Sequence, residues 1–128
     1  MTQIEPHYVT FEQAKWLKEK GFKSKSRYYD GSGELVETPD IPKNDYTHTN
    51  NYIQRFRWEA PEQHVVVEWL RVNYGIWIYV LPYSALFRPY AEELVDNDKF
   101  GKWEGHKYST PQEAYSAAFD YILNNNLI

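Results

Sequence analysis

The stretch Ala60 to Pro82, APEQHVVVEWLRVNYGIWIYVLP, decides the fold. It divides into a helix, a glycine stop and an apolar strand. Pro61 suits the first helical position, where its missing N–H has no intrahelical partner to lose. Glu62 in the first turn and Arg71 near the last carry the signs that the helix dipole favours. Val65, Trp69 and Val72 recur at i, i+4, i+7, with Val66 and Leu70 flanking them. That spacing predicts one broad inward stripe, with Glu68 and Arg71 off it. Gly75 can take the left-handed conformation that closes a helix. Ile76 to Leu81 is then apolar without alternation, too short for a helix, and rich in β-branched and aromatic residues. The pattern predicts a strand covered on both faces and ended by Pro82, with Trp69 and Trp77 in the core.

On the N-terminal side, residues 1–9 read as extended or frayed. Thr10 and Gln13 then form a capping-box pair, with Val9 placed as a hydrophobic staple. Phe11, Ala14 and Leu17 make an inward stripe. Gly21 and Phe22 read as a Schellman ending, so the first helix spans about residues 11–20. Arg27 to Glu37, RYYDGSGELVE, reads as a hairpin turning on Asp30-Gly31-Ser32-Gly33. Residues 38–51, TPDIPKNDYTHTNN, form an irregular loop with no periodicity. Tyr52 to Trp58 alternates as a strand or extended arm does, with Gln54, Phe56 and Trp58 on the same face as Tyr52.

On the C-terminal side, Leu86 to Val95 and Phe100 to Tyr108 read as two β arms around Asp96-Asn97-Asp98-Lys99. Pro89 assigns the first arm to a sheet edge. Gly105 marks a bulge, because Trp103 and Tyr108 fall on opposite parities. Thr110, Pro111 and Glu113 start a last helix over about 111–124. Its inward face is Ala114, Ala118, Tyr121 and Ile122, widened by Tyr115 and Phe119. Residues 125–128 read as a frayed tail. The expectation is α+β: a single domain over residues 1–128, with three helices (about 11–20, 61–74 and 111–124) packed on a mainly antiparallel sheet.

The chain has 128 residues and no cysteine. Disulfides and every cysteine-based zinc or nucleophile motif are excluded. The N-terminus shows no basic-then-apolar leader, and no apolar run approaches the roughly 20 residues that span a bilayer. A soluble protein of the cytoplasm, with no membrane partner, is the expectation. Net charge is −4, which argues against a generally basic nucleic-acid binder. The distribution is uneven. Lys15 to Arg27 holds six basic residues and one acid, hence +5; Asp30 to Asp45 holds five acids and one lysine, hence −4. The surface is therefore expected to be bipolar.

His7, His48, His64 and His106 are scattered, with no pair at helical metal-binding spacing and no zincin motif. No nucleophile elbow and no phosphate loop occurs; the GSG of residues 31–33 lacks the lysine and the following helix. No catalytic residue, metal ligand or cofactor is assigned. Two segments depart from what folding alone requires. Lys23, Lys25 and Arg27 alternate after the first helix as phosphate contacts do. Arg55, Phe56, Arg57 and Trp58 interleave guanidinium groups with rings, a pattern suited to stacking on single strands. Each has a structural alternative. Lysines near a helix C-terminus complement its dipole, and arginines on a half-buried strand snorkel.

VTFEQAKWLKEKGF, RYYDGSGELV, APEQHVVVEWLRVNYGIWI and YSTPQEAYSAAFDYIL, in that order, resemble a group of small accessory proteins of phages, prophages and other mobile elements. The resemblance covers most of the chain except residues 38–54 and 83–100. Its motifs are caps and core positions, so it carries over no catalytic residue. It implies a non-enzymatic protein that binds and blocks a host macromolecule, a protein or ribonucleoprotein, as an anti-CRISPR or other host-defence inhibitor does. The alternative is a module that binds RNA or single-stranded nucleic acid. An enzyme with a distributed site is the weakest of the three readings.

Overall fold

The computed structural model describes residues 5–23, 27–36, 58–94 and 101–128. The irregular loop expected over 38–51 lies outside them, as do Lys25, Arg55, Phe56, Arg57 and the acidic turn at 96–99. The α+β class, the antiparallel pairing and three helices are all present among the described residues. The strands divide over two three-stranded sheets rather than one. The chain gathers into two compact units, residues 8–61 and residues 62–128 with 1–7.

In the 8–61 unit, helix α1 spans Phe11–Glu19. Its start is the capping box read from sequence: Thr10 Oγ1 accepts from the Gln13 N–H at 3.1 Å, and Gln13 Oε1 accepts from the Thr10 N–H at 3.0 Å. Two orphan donors are satisfied reciprocally. Its end is a Schellman motif, in which the Phe22 N–H reaches Leu17 O at 2.9 Å and the Gly21 N–H reaches Lys18 O at 3.1 Å. Strands β1 (Arg27–Tyr29), β2 (Leu35–Val36) and β3 (Trp58–Ala60) pair in the order β2-β1-β3, all antiparallel. The β1–β2 turn is held by one side chain. Asp30 Oδ1 accepts from the Ser32 N–H, the Ser32 hydroxyl and the Glu34 N–H. Helix α1 packs on β3. Val9, Gln13, Ala14, Leu17, Phe22 and Ala60 are buried, so Val9 is a core residue rather than part of a frayed end.

In the 62–128 unit, helix α2 spans Gln63–Tyr74 and starts two residues later than expected. Glu62 is its N-cap, with extended φ −64° and ψ 149°. Pro61 precedes the cap; it is buried, and its carbonyl accepts from the Val9 N–H. Gly75 ends the helix at φ 66°, left-handed as predicted. The expected stripe is buried on its Val66–Leu70 flank and not along its Val65-Trp69-Val72 line. Gln63, Val66 and Leu70 are the helix's buried residues, whereas Val72 is 64% exposed and Trp69 is half-buried with its ring edge against Tyr74. Both lines satisfy helical spacing, and the neighbours select between them.

Strand β4 (Ile76–Tyr83) corrects the reading of the central strand. It runs through Pro82 to Tyr83, and it lies at one edge of the sheet β4-β5-β6. It is covered on one face only. Ile76 and Ile78 are buried; Trp77 is 38% and Leu81 46% exposed. A two-residue turn, Ser84-Ala85, leads into β5 (Leu86–Glu93), with Ser84 at φ 60° as a tight hairpin requires. Strand β6 spans Lys102–Glu104. Pro89 therefore stands in the central strand, against expectation. The register explains how. Tyr90 pairs with Glu104, yet Phe87 pairs with Tyr108, so the second arm carries one extra residue. That is the bulge read at Gly105. Its N–H donates to Pro89 O at 2.9 Å, and the proline's missing donor falls at the bulge, where the ladder is already broken. A side chain at Gly105 would meet Trp103 at 2.6 Å and Pro89 at 2.8 Å.

Helix α3 (Pro111–Asn124) packs on β4 and β5 through Ala114, Ala118, Phe119, Ile122 and Leu123. Tyr121, read as inward, is half-buried and stacks on Trp103 at 4.4 Å. Thr110 caps it as predicted, accepting from the Glu113 N–H at 3.2 Å. The tail closes the helix instead of hanging free: Asn126 sits at φ 52°, and the Leu127 N–H reaches Ile122 O at 3.1 Å. Among the described residues no helix is long and apolar enough to cross a membrane.

Candidate binding surface

The 8–61 unit assembles a cluster of rings and cations that neither segment alone announces. Helical spacing puts Phe11, Lys15 and Lys18 on one side of α1. The β1–β3 register sets Tyr29 opposite Trp58 on the sheet. The Phe11 ring stacks on Tyr29 at 5.5 Å and tilts against Trp58 at 5.3 Å. The Lys15 ammonium lies 4.4 Å from the centre of the Phe11 ring, and that of Lys18 lies 5.4 Å from Trp58. Ring quadrupoles attract both cations. Lys15 also meets Glu12 Oε1 at 3.4 Å. Partial burial holds Lys18 below the ordinary lysine pKa, because desolvation disfavours its charged form.

Tyr29 ties the cluster to the chain entering α1, its hydroxyl donating to Val9 O at 2.6 Å. Burial raises its pKa above the usual phenol value. On the same face of the sheet, two residues before Tyr29, Arg27 lays its guanidinium 5.2 Å from the Tyr8 ring centre. Of the residues singled out from sequence, Lys23 is exposed, and Arg27 and Trp58 are half-buried on adjacent paired strands. The two basic segments thus meet at their described ends. Lys25, Arg55, Phe56 and Arg57 lie outside the described residues. Sequence reasoning placed Phe11 in the core stripe and missed both its pairing with Lys15 and that of Lys18 with Trp58; the i, i+4, i+7 spacing of Phe11, Lys15 and Lys18 was the available signal.

The 62–128 unit carries an open cleft of about 560 Å³ beside the start of α2. Glu5, His7, Glu62, His64 and Tyr115 line it, and Gln63 crosses to α3 by donating from Nε2 to Gln112 O at 3.0 Å. His64 Nε2 lies 2.8 Å from Glu62 Oε2. Among the described residues no group of three or more histidine, aspartate or glutamate side chains could hold a metal ion. The cleft offers an imidazole–carboxylate pair at its rim, and the other unit offers cations set on rings. Fold and surfaces together define a small α+β protein with a cation–aromatic face. Comparison with protein-family models, curated proteins and solved structures finds no match to the chain.

Proposed function

We propose that this protein is a non-enzymatic accessory protein of a phage or mobile element that binds and blocks a host macromolecule, as a host-defence inhibitor of the anti-CRISPR type does. The observation that carries the reading is the placement of Lys15, Lys18 and Arg27 on the ring faces of Phe11, Trp58 and Tyr8, with Lys23 exposed nearby in sequence. An acidic chain that concentrates its positive charge on a preorganised aromatic bed suits an acidic partner surface. The ring contacts limit the conformational entropy the long cations lose on binding.

The second reading, an RNA or single-stranded nucleic-acid module, draws on the same cations and on Trp58. The geometry favours it less. One face of Phe11 stacks on Tyr29, and Lys15 lies over the ring, so a base would have to displace a partner to stack there. The phosphate backbone could still be met by the lysines. The test is a pull-down from host lysate with and without nuclease, repeated with Lys15→Glu, Lys18→Glu and Lys23→Glu combined. A protein partner that survives nuclease and is lost with the charge-reversed, folded variant supports the inhibitor. Loss on nuclease treatment supports the nucleic-acid module. A partner retained undiminished by the variant overturns the surface.

A further inference from the structure

Strand β4 leaves one long edge of its sheet without a partner strand among the described residues. The direction of its backbone groups follows from the neighbouring bonds. Phe87, Pro89 and Glu93 of β5 turn their main-chain groups away from β4, toward Tyr108, Gly105 and Gly101. The alternate residues of β5, from Leu86 to Glu92, therefore bond to β4, where they face Tyr83, Leu81, Tyr79 and Trp77. It follows that Ile76, Ile78, Val80 and Pro82 point their main-chain groups outward, at an edge that pairs with no other strand among the described residues. This edge is eight residues long and contains no charged side chain. Natural edges of that length are guarded by lysines, bulges or prolines. Here the guard is Pro82 alone, at the far end. Trp77, Leu81 and Tyr83 stand exposed beside it.

We infer that the β4 edge is a homodimer interface, occupied by the β4 edge of a second copy running antiparallel about a two-fold axis at Ile78. In that register Ile78 faces Ile78 of the second copy, and Ile76 faces Val80. Each facing pair exchanges two hydrogen bonds, and every outward N–H finds a carbonyl. Pro82 falls beyond the paired length, so its missing donor costs nothing. An axis at Tyr79 would instead set Pro82 against Ile76 and lose a bond at each end. On the exposed face the chosen register sets Trp77 against Tyr79 of the second copy, a cross-strand aromatic pair. The absence of charge is what admits an identical strand, since no like charges meet. The two sheets become one of six strands, and the self-complementary patch closes on itself as two-fold contacts do.

The proposal rests on the 62–128 unit alone, so it stands or falls apart from the cation–aromatic surface. The test is sedimentation equilibrium of the full chain over a concentration series. Wild type is expected to show a concentration-dependent mass approaching two chains. Val80→Pro removes an outward donor while leaving the β5 ladder intact, and should weaken dimerisation roughly tenfold or more with unchanged far-UV dichroism. Should that variant fail to fold, the register is read by crosslinking. The native chain has no cysteine, so Trp77→Cys with Tyr79→Cys should oxidise to a covalent dimer. Each single variant should not, because its thiols lie a diagonal apart. A wild type that stays monomeric at every concentration overturns the inference. So does a folded Val80→Pro that dimerises as wild type, or a double-cysteine variant that does not crosslink. Capture of a different protein at this edge by a monomeric wild type would replace the second copy as its occupant.

Discussion

Replacing Leu70 by alanine tests the orientation of α2, the element on which the 62–128 core turns. Leu70 is 2% exposed and lies on the buried line with Gln63 and Val66. The substitution removes three carbons. At about 0.8 kcal/mol for each buried methylene, the transfer loss is about 2.4 kcal/mol. A cavity that collapses only in part adds about 1 kcal/mol, giving about 3–4 kcal/mol in all. Val72→Ala, at a position 64% exposed, should cost no more than about 0.5 kcal/mol. Trp69→Ala should fall between them at about 1–2 kcal/mol, since the ring is half-buried and loses its edge contact with Tyr74. Urea unfolding followed by far-UV dichroism measures all three. With a slope of about 1.5 kcal/mol per molar, Leu70→Ala should lower the midpoint by about 2 M and Val72→Ala by a few tenths. Equal shifts for Leu70→Ala and Val72→Ala, or a larger one for Trp69→Ala, would refute the assigned face.

Gly105→Ala should lower stability by about 1–3 kcal/mol, because the added carbon meets Trp103 and Pro89 below contact distance; a melting temperature within error of wild type would contradict the bulge packing. Tyr29→Phe should cost about 1–2 kcal/mol by leaving Val9 O without its hydroxyl donor, measured in the same urea assay. The raised pKa of Tyr29 also sets a pH dependence. Its stabilising contribution is complete below the unfolded phenol pKa of about 10 and is lost as pH rises from there through the folded value. Alkaline melting curves should therefore fall less steeply in Tyr29→Phe than in wild type, and parallel curves would remove Tyr29 as the cause.

The features legible in the sequence are those whose partners sit within one turn of chain. Thr10 with Gln13, Thr110 with Glu113, the Gly21-Phe22 and Gly75 helix ends and the Asp30 turn all satisfy backbone groups a few residues away. Their energetics are local, so composition and spacing suffice. The Gly105 bulge was legible for a related reason, since parity along a strand is a local count. Tertiary structure decided the rest. The broad stripe read on α2 holds both Val66-Leu70 and Val65-Trp69-Val72, and only the elements packed on α2 choose which part of it is dry. Ile76 to Leu81 is apolar throughout, yet whether a second layer covers it depends on distant segments, and the structure leaves Trp77 and Leu81 exposed at a sheet edge. Pro89 is compatible with a central strand only because the register turns its missing donor toward the bulge. The candidate surface divides in the same way. Lys23 and Arg27 announce themselves by charge, whereas Trp58 joins Phe11 and Lys18 only because β3 pairs with β1 beneath α1. Hydrophobic burial is non-directional, so the sequence determined which residues seek cover, and the packing of remote elements decided which of them obtain it.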